Sequence, residues 1–161
     1  MKENIKGFFR SFTYAAAGVR ECVKKERNMR FHLCAAVTVI LWSLFYELTT
    51  GEYCALFLSI GFVIGSEVMN TAIEAAVNVT EKVSPLARTA KDCGAGAVLI
   101  SAVTAVCCGI ALFGDGEVLR NILDFFTDNP LALAGAGAWV IFAVIFIFGK
   151  NTERSIKENE K

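Results

Sequence analysis

Long uncharged stretches alternate along this chain with short charged connections. Residues 33–46 are apolar, and uncharged positions extend them on either side. A second stretch covers 53–66 and continues to 79, with Glu67, Asn70, Glu74 and Asn78 as its strongly polar positions. Residues 93–114 and 131–149 carry no charge. Crossing a bilayer takes roughly 20 predominantly apolar residues. The pattern therefore predicts four spans, at about 30–49, 52–79, 92–113 and 130–149. The segment before them reads differently. Ile5, Phe8, Phe12, Ala15, Val19 and Val23 recur at three- and four-residue steps among Lys2, Lys6, Arg10, Arg20 and Lys24. That period predicts a basic amphipathic helix over about 4–24, lying in the headgroup region. The expected fold is all-α: a polytopic membrane protein with an N-terminal surface helix, three core spans and a fourth, C-terminal span.

The charged connections orient these spans. Lys2, Lys6, Arg10, Arg20, Lys24, Lys25, Arg27 and Arg30 precede the first. Lys82, Arg88 and Lys91 lie between the second and third, and Lys150, Arg154, Lys157 and Lys161 follow the fourth. The two remaining connections hold a single basic residue, Arg120, so 15 of the 16 fall on one side. The positive-inside rule then puts both termini and the 80–91 connection in the cytoplasm.

Composition agrees. Hydrophobic residues make up 55% and charged residues 20%, and mean hydropathy is +0.50; soluble domains average about 25% charged residues. The 161 residues suit one domain, and 16 basic against 16 acidic residues exclude a basic nucleic-acid binder. No cleavable signal is expected, because the apolar residues of the first thirty are spaced rather than continuous. The six cysteines form no C-x-x-C pair and the sole histidine is His32. They read as small buried apolar residues, not as a zinc site or a disulfide framework.

The polar positions inside the second span need a separate explanation. An ionised carboxylate in a membrane helix costs at least ~2.5 kcal/mol, and this span has Glu67 and Glu74. At 100° per residue, Asn70, Glu74 and Asn78 each fall within about 60° of Glu67. They form one narrow stripe, opposite Val68, Ala72, Ala75 and Val79. Such a stripe faces a partner helix or a watery site, not lipid. Glu26 just before the first span, and Lys91 and Asp92 at the start of the third, reach the same cytoplasmic level. Clustered carboxylates recruit Mg²⁺, which takes oxygen ligands and bridges phosphates, and a lysine beside them is a phosphate contact. Three readings stay open: a polar clamp between helices, a proton or cation path, and a phosphate-handling enzyme. No G-x-x-x-x-G-K-[ST] loop and no H-R-D or D-F-G element is present. Gly94 and Gly96, and likewise Gly135 and Gly137, read as close-packing positions.

Glu67-Val-Met-Asn-Thr-Ala-Ile-Glu74, Ala87-Arg-Thr-Ala-Lys-Asp92 and Gly94-Ala-Gly-Ala-Val-Leu99 resemble the small prokaryotic integral-membrane lipid kinases, the diacylglycerol and undecaprenol kinases. Glu26-Arg-Asn-Met-Arg-Phe-His32 is similar to the entry into the first span in the Gram-positive undecaprenol kinase branch. The resemblance covers residues 8–113. It implies a homotrimer that moves the γ-phosphate of ATP to a membrane lipid alcohol, undecaprenol before diacylglycerol, at sites shared between subunits. It further implies Glu67 as general base with Asn70 in support, and Glu26 and Glu74 as Mg²⁺ ligands. Lys91, Asp92, Tyr14 and Arg10 would bind the nucleotide. The division would be a kinase core over 1–113 and an extra span with a cytoplasmic tail over 114–161. Two departures stand out: the family has an acidic residue where this chain has Asn78, and its core has three spans, not four.

Overall fold

The computed structural model describes residues 2–79 and 84–149, with side chains from Gly7 onward. Lys82, the basic tail 150–161 and the side chains of Lys2, Ile5 and Lys6 lie outside the described residues. The described residues form six helices: α1 (Lys2–Lys25), α2 (Arg27–Ser43), α3 (Thr50–Val79), α4 (Pro85–Phe113), α5 (Gly116–Asp128) and α6 (Pro130–Phe148).

Local chemistry sets the helix starts. Ahead of α3, Thr49 and Glu52 form a reciprocal capping box. The Thr49 N–H and Oγ1 donate to Glu52 Oε2, both at 2.7 Å, and the Glu52 N–H donates back to Thr49 Oγ1 at 3.4 Å. Ser84 caps α4 by accepting from the Ala87 N–H at 3.1 Å, with Pro85 at the first helical position. Asp115 caps α5, accepting from the N–H groups of Glu117 and Val118, and Pro130 opens α6. Between α1 and α2 a single residue, Glu26, is extended at φ −100° and ψ 120°, and its side chain makes no capping bond.

Helices α3 and α4 form the central hairpin. Contacts Asn78–Lys91, Asn70–Gly94 and Ser66–Ser101 step up one helix and down the other, so the two run antiparallel. The Ser66 and Ser101 hydroxyls meet at 2.8 Å, satisfying each other where lipid offers no partner. Helix α2 packs on α3, α6 on α2, α5 on α6, and α1 on both α2 and α3. Trp139 Nε1 donates to Thr38 Oγ1 at 3.1 Å and Ile147 meets Arg30, which makes α6 antiparallel to α2. Among the described residues the buried apolar core is small: Cys22, Met29, Cys34, Ala36, Tyr46, Leu56, Val63, Val98 and Ile122. Phe62, Leu99, Ile110, Val140 and Ile145 stay exposed, as residues facing acyl chains do. On α1 the Phe8 and Phe12 rings pack edge to face at 5.0 Å with no protein cover, the arrangement of an interfacial helix.

The all-helical membrane fold stands, with differences of detail. Among the described residues three helices, α3, α4 and α6, are long and apolar enough to cross a membrane. The first expected span is the shortest. Helix α2 has 17 residues, about 25 Å at 1.5 Å per residue. It stops at Ser43 because Leu44, Phe45 and Tyr46 close onto carbonyls three residues back, and the Tyr46 hydroxyl donates to the Phe113 carbonyl at 3.0 Å. Helix α4 starts at Pro85, ahead of the span expected over 92–113, so Lys91 and Asp92 sit in its second turn. The connection before the last span is a helix, α5, with Phe125 edge-on to Phe45 at 5.3 Å. Gly135 and Gly137 touch no neighbouring element, since α6 meets α2 through another face; Cys54, Cys93 and Cys107 are exposed, while Cys22 and Cys34 are buried as expected.

The capping box yields a stability test. Thr49→Ala removes one member and is expected to destabilise the chain by about 1 kcal/mol, read as a lower thermal midpoint in detergent.

Candidate active site

The stripe on α3 is graded in burial. Glu67 is 1% exposed, Asn70 and Glu74 are partly covered, and Asn78 is exposed. The stripe thus runs from the helical core toward water in one turn steps. Glu67 and Asn70 each keep a buried side-chain oxygen, Oε2 and Oδ1, without a hydrogen-bond partner. Orphaned buried acceptors cost about 1–3 kcal/mol each, and their persistence in one place marks a site that a ligand completes.

Glu67 is not isolated. Glu26 from the α1–α2 joint and Glu74 from the next two turns of α3 lie close enough for their charges to act on it. Among the described residues no cation lies within ion-pair distance of Glu26, Glu67 or Glu74. Three carboxylates from two elements therefore share one region without a counter-ion. All the donors are oxygens, the ligand type that Mg²⁺ selects. Among the described residues no three acidic, histidine or cysteine side chains close tightly enough to cage a metal alone.

Asn70 is set by its neighbours. Its Nδ2 donates to Glu74 Oε1 at 3.5 Å, a long bond. Its Oδ1 lies over Gly94 of α4, where a Cβ would stand 2.6 Å away. Gly94 is therefore a packing glycine, as expected, and one that seats a site residue; Gly96 meets nothing. Farther out, Lys91 Nζ donates to Asn78 Oδ1 at 2.7 Å. The amide fixes the ammonium across the hairpin without neutralising it, which a carboxylate at position 78 would do. Asp92 is exposed beside it.

Tyr14 and Arg10 stand apart. They pair with each other on the exposed face of α1, where Arg10 Nη2 donates to the Tyr14 hydroxyl at 3.2 Å. No hydrogen bond or ion pair among the described residues links either to the carboxylates. A single chain thus gathers Glu26, Glu67, Asn70 and Glu74, places Lys91 with Asn78 at the outer end, and leaves Arg10 and Tyr14 outside.

A scaffold of this kind has known relatives. The prokaryotic diacylglycerol kinase family matches residues 13–113. The chain belongs to the prokaryotic diacylglycerol kinase family. It is 40% identical over 113 residues to the undecaprenol kinase of Bacillus subtilis, covering 70% of this chain and 92% of that protein. It is also 40% identical over 101 residues to a diacylglycerol kinase of Synechocystis, covering 62% of this chain and 58% of that protein. No solved structure matches it. Membership makes it a membrane lipid kinase, and kinase chemistry implies use of ATP. The match ends at Phe113, where α4 ends; α5 and α6 lie beyond it.

Sequence reasoning missed Arg30 as a joint between helices, the seat of Asn70 on Gly94, and α5. The last was legible: Val118, Leu119, Ile122, Leu123, Phe125 and Phe126 repeat at helical spacing behind the Asp115 cap. The others depend on inter-helix contacts that no local pattern encodes.

Gly94→Ala tests the seat of Asn70. The added methyl pushes the amide aside without parting the helices, because the Asn70 Cα stays 3.6 Å away. Turnover is expected to fall roughly ten- to hundredfold through misplacement while the thermal midpoint shifts little, both read on one detergent preparation.

Proposed function

We propose that this lipid kinase transfers the γ-phosphate of MgATP to the hydroxyl of undecaprenol at the cytoplasmic face of the bacterial membrane. The observation that carries the chemistry is the set of three carboxylates without a cation, one of them buried with an orphaned oxygen. The acceptor rests on similarity: the Bacillus undecaprenol kinase is covered over 92% of its length, the Synechocystis diacylglycerol kinase over 58%. Diacylglycerol is the second choice. The kinase core would be 1–113 and the remainder an added span.

The roles follow depth. Glu67, deepest on the stripe, takes the proton from the lipid hydroxyl as its oxygen bonds to the γ-phosphorus and ADP leaves. Asn70 orients that hydroxyl. Glu26 and Glu74, nearer to water, would hold Mg²⁺, which would neutralise charge on the phosphates. Lys91, held by Asn78, contacts the phosphates, with Asp92 beside it. Phosphoryl transfer asks for positioning and charge neutralisation more than for covalent chemistry, and these groups supply both. Arg10 and Tyr14 would complete the nucleotide site. No hydrogen bond or ion pair among the described residues joins them to the carboxylates of the same chain, and we propose a homotrimer with sites shared between subunits, as the family resemblance implies. Both termini would be cytoplasmic, which the distribution of basic residues supports.

The decisive experiment is transfer of labelled phosphate from MgATP to undecaprenol and to diacylglycerol, offered separately in detergent. Undecaprenol is expected to be phosphorylated faster, with Glu67→Gln inactive against both. Faster diacylglycerol phosphorylation would reassign the acceptor; transfer undiminished in Glu67→Gln would remove the base.

Glu74→Ala is expected to weaken apparent Mg²⁺ affinity about tenfold or more, read from the Mg²⁺ dependence of the rate. Asn78→Ala frees Lys91, and KM for ATP is expected to rise severalfold with kcat changed less, as loss of one charge-assisted contact implies.

A further inference from the structure

The fourth span lies outside the family match, yet it ends on a residue inside it. Helix C-termini carry about half a negative charge each. Those of α1 and α6 converge beside the α1–α2 joint, where they would repel. Arg30 stands between them. Its Nη1 donates to the Val23 and Lys24 carbonyls of α1 at 3.2 and 3.1 Å, and its Nε and Nη2 donate to the Ile147 carbonyl of α6 at 3.3 and 3.1 Å. The planar fork serves two helix ends at once, which the point charge of a lysine does poorly. The Arg30 N–H donates to the Glu26 carbonyl at 3.4 Å, so the same residue closes the first turn of α2.

Two further contacts lock the register of α6. The Arg27 guanidinium lies 5.9 Å from the centre of the Phe148 ring, and Trp139 Nε1 donates to Thr38 Oγ1 at 3.1 Å. Thr38 follows Arg30 by as many residues as Trp139 precedes Ile147, so α6 is held at two points and cannot slide along α2. A span that served only as a lipid anchor would need neither.

We propose that Arg30 is a positioning residue for the nucleotide side of the site, and that α6 acts through it: the carbonyl end of α6, bound to Arg30, fixes the exit of α1 and thereby the direction of Glu26. This rests on the reading of Glu26 as a Mg²⁺ ligand given above. The added span is thus a brace for a site to which it contributes no side chain.

The test compares the full-length parent with Arg30→Gln, Arg30→Lys and Trp139→Leu in the same lipid nanodiscs. Trp139→Leu loosens α6 and leaves Arg30 and α1 intact. Arg30→Gln and Trp139→Leu are each expected to raise KM for MgATP about three- to tenfold with kcat changed less. The double variant is expected to fall short of the product of the two, because both act on one brace. Arg30→Lys should restore part of the loss. A readout free of catalysis is maleimide labelling of Cys22, which is buried near the end of α1; its rate should rise in both variants. An unmoved KM in Trp139→Leu would overturn the role of α6, and faster Cys22 labelling at unchanged KM would show the brace to be structural only. Glu26→Gln with unaltered Mg²⁺ dependence would remove the metal reading instead, a failure told apart by Cys22 labelling, which does not depend on it.

Discussion

A carboxylate almost fully buried in an apolar helix is the constraint around which this molecule is arranged. Glu67 is 1% exposed and keeps one oxygen unpartnered. In hydrocarbon that state is unfavourable, and a lysine or arginine beside it would relieve it at once. Instead two more carboxylates, Glu26 and Glu74, act on it by their charge. The fold therefore stores an unmet demand for a cation at one depth of the membrane. Packing elsewhere has to carry that cost, and the tight α3–α4 hairpin is where it does so.

The hairpin also grades the polar stripe. At Gly94 the helices come so close that a methyl group would collide with Asn70; nearer the connection that joins them, Lys91 reaches across to Asn78. Depth, and with it solvent, thus changes along a single helix face. Groups of similar chemistry acquire different tasks from position alone. On the proposed reading the deep carboxylate takes the proton and the shallower ones hold the metal.

Much of this could be read from the residues in order. The i, i+3, i+7, i+11 spacing of Glu67, Asn70, Glu74 and Asn78 put them on one face because helical periodicity is a local property, and the structure has them so, with Val79 and Ala72 outward on the other side. Spans were legible from apolar length. The end of α2 was not: residues 44–49 are mostly apolar or neutral, and the helix stops because Tyr46 is tied to Phe113, 67 residues away. Gly135 and Gly137 illustrate the opposite error. Small residues on α6 resemble a packing face, but which face is used depends on Trp139 finding Thr38. Arg30 looked like one more basic residue in a cytoplasmic run, since its role lies in helix ends more than a hundred residues apart.

The joint between α1 and α2 is one residue long, and that residue is Glu26. A linker of several residues would let a helix lying on the membrane tilt or roll without consequence for the span that follows. Here two torsion angles are all the freedom there is, and they belong to the residue whose carboxylate is the proposed metal ligand. The attitude of the surface helix and the aim of Glu26 are therefore a single mechanical variable. A change in bilayer thickness or headgroup packing that tips α1 is felt at the carboxylate directly, with no flexible segment between them to absorb it.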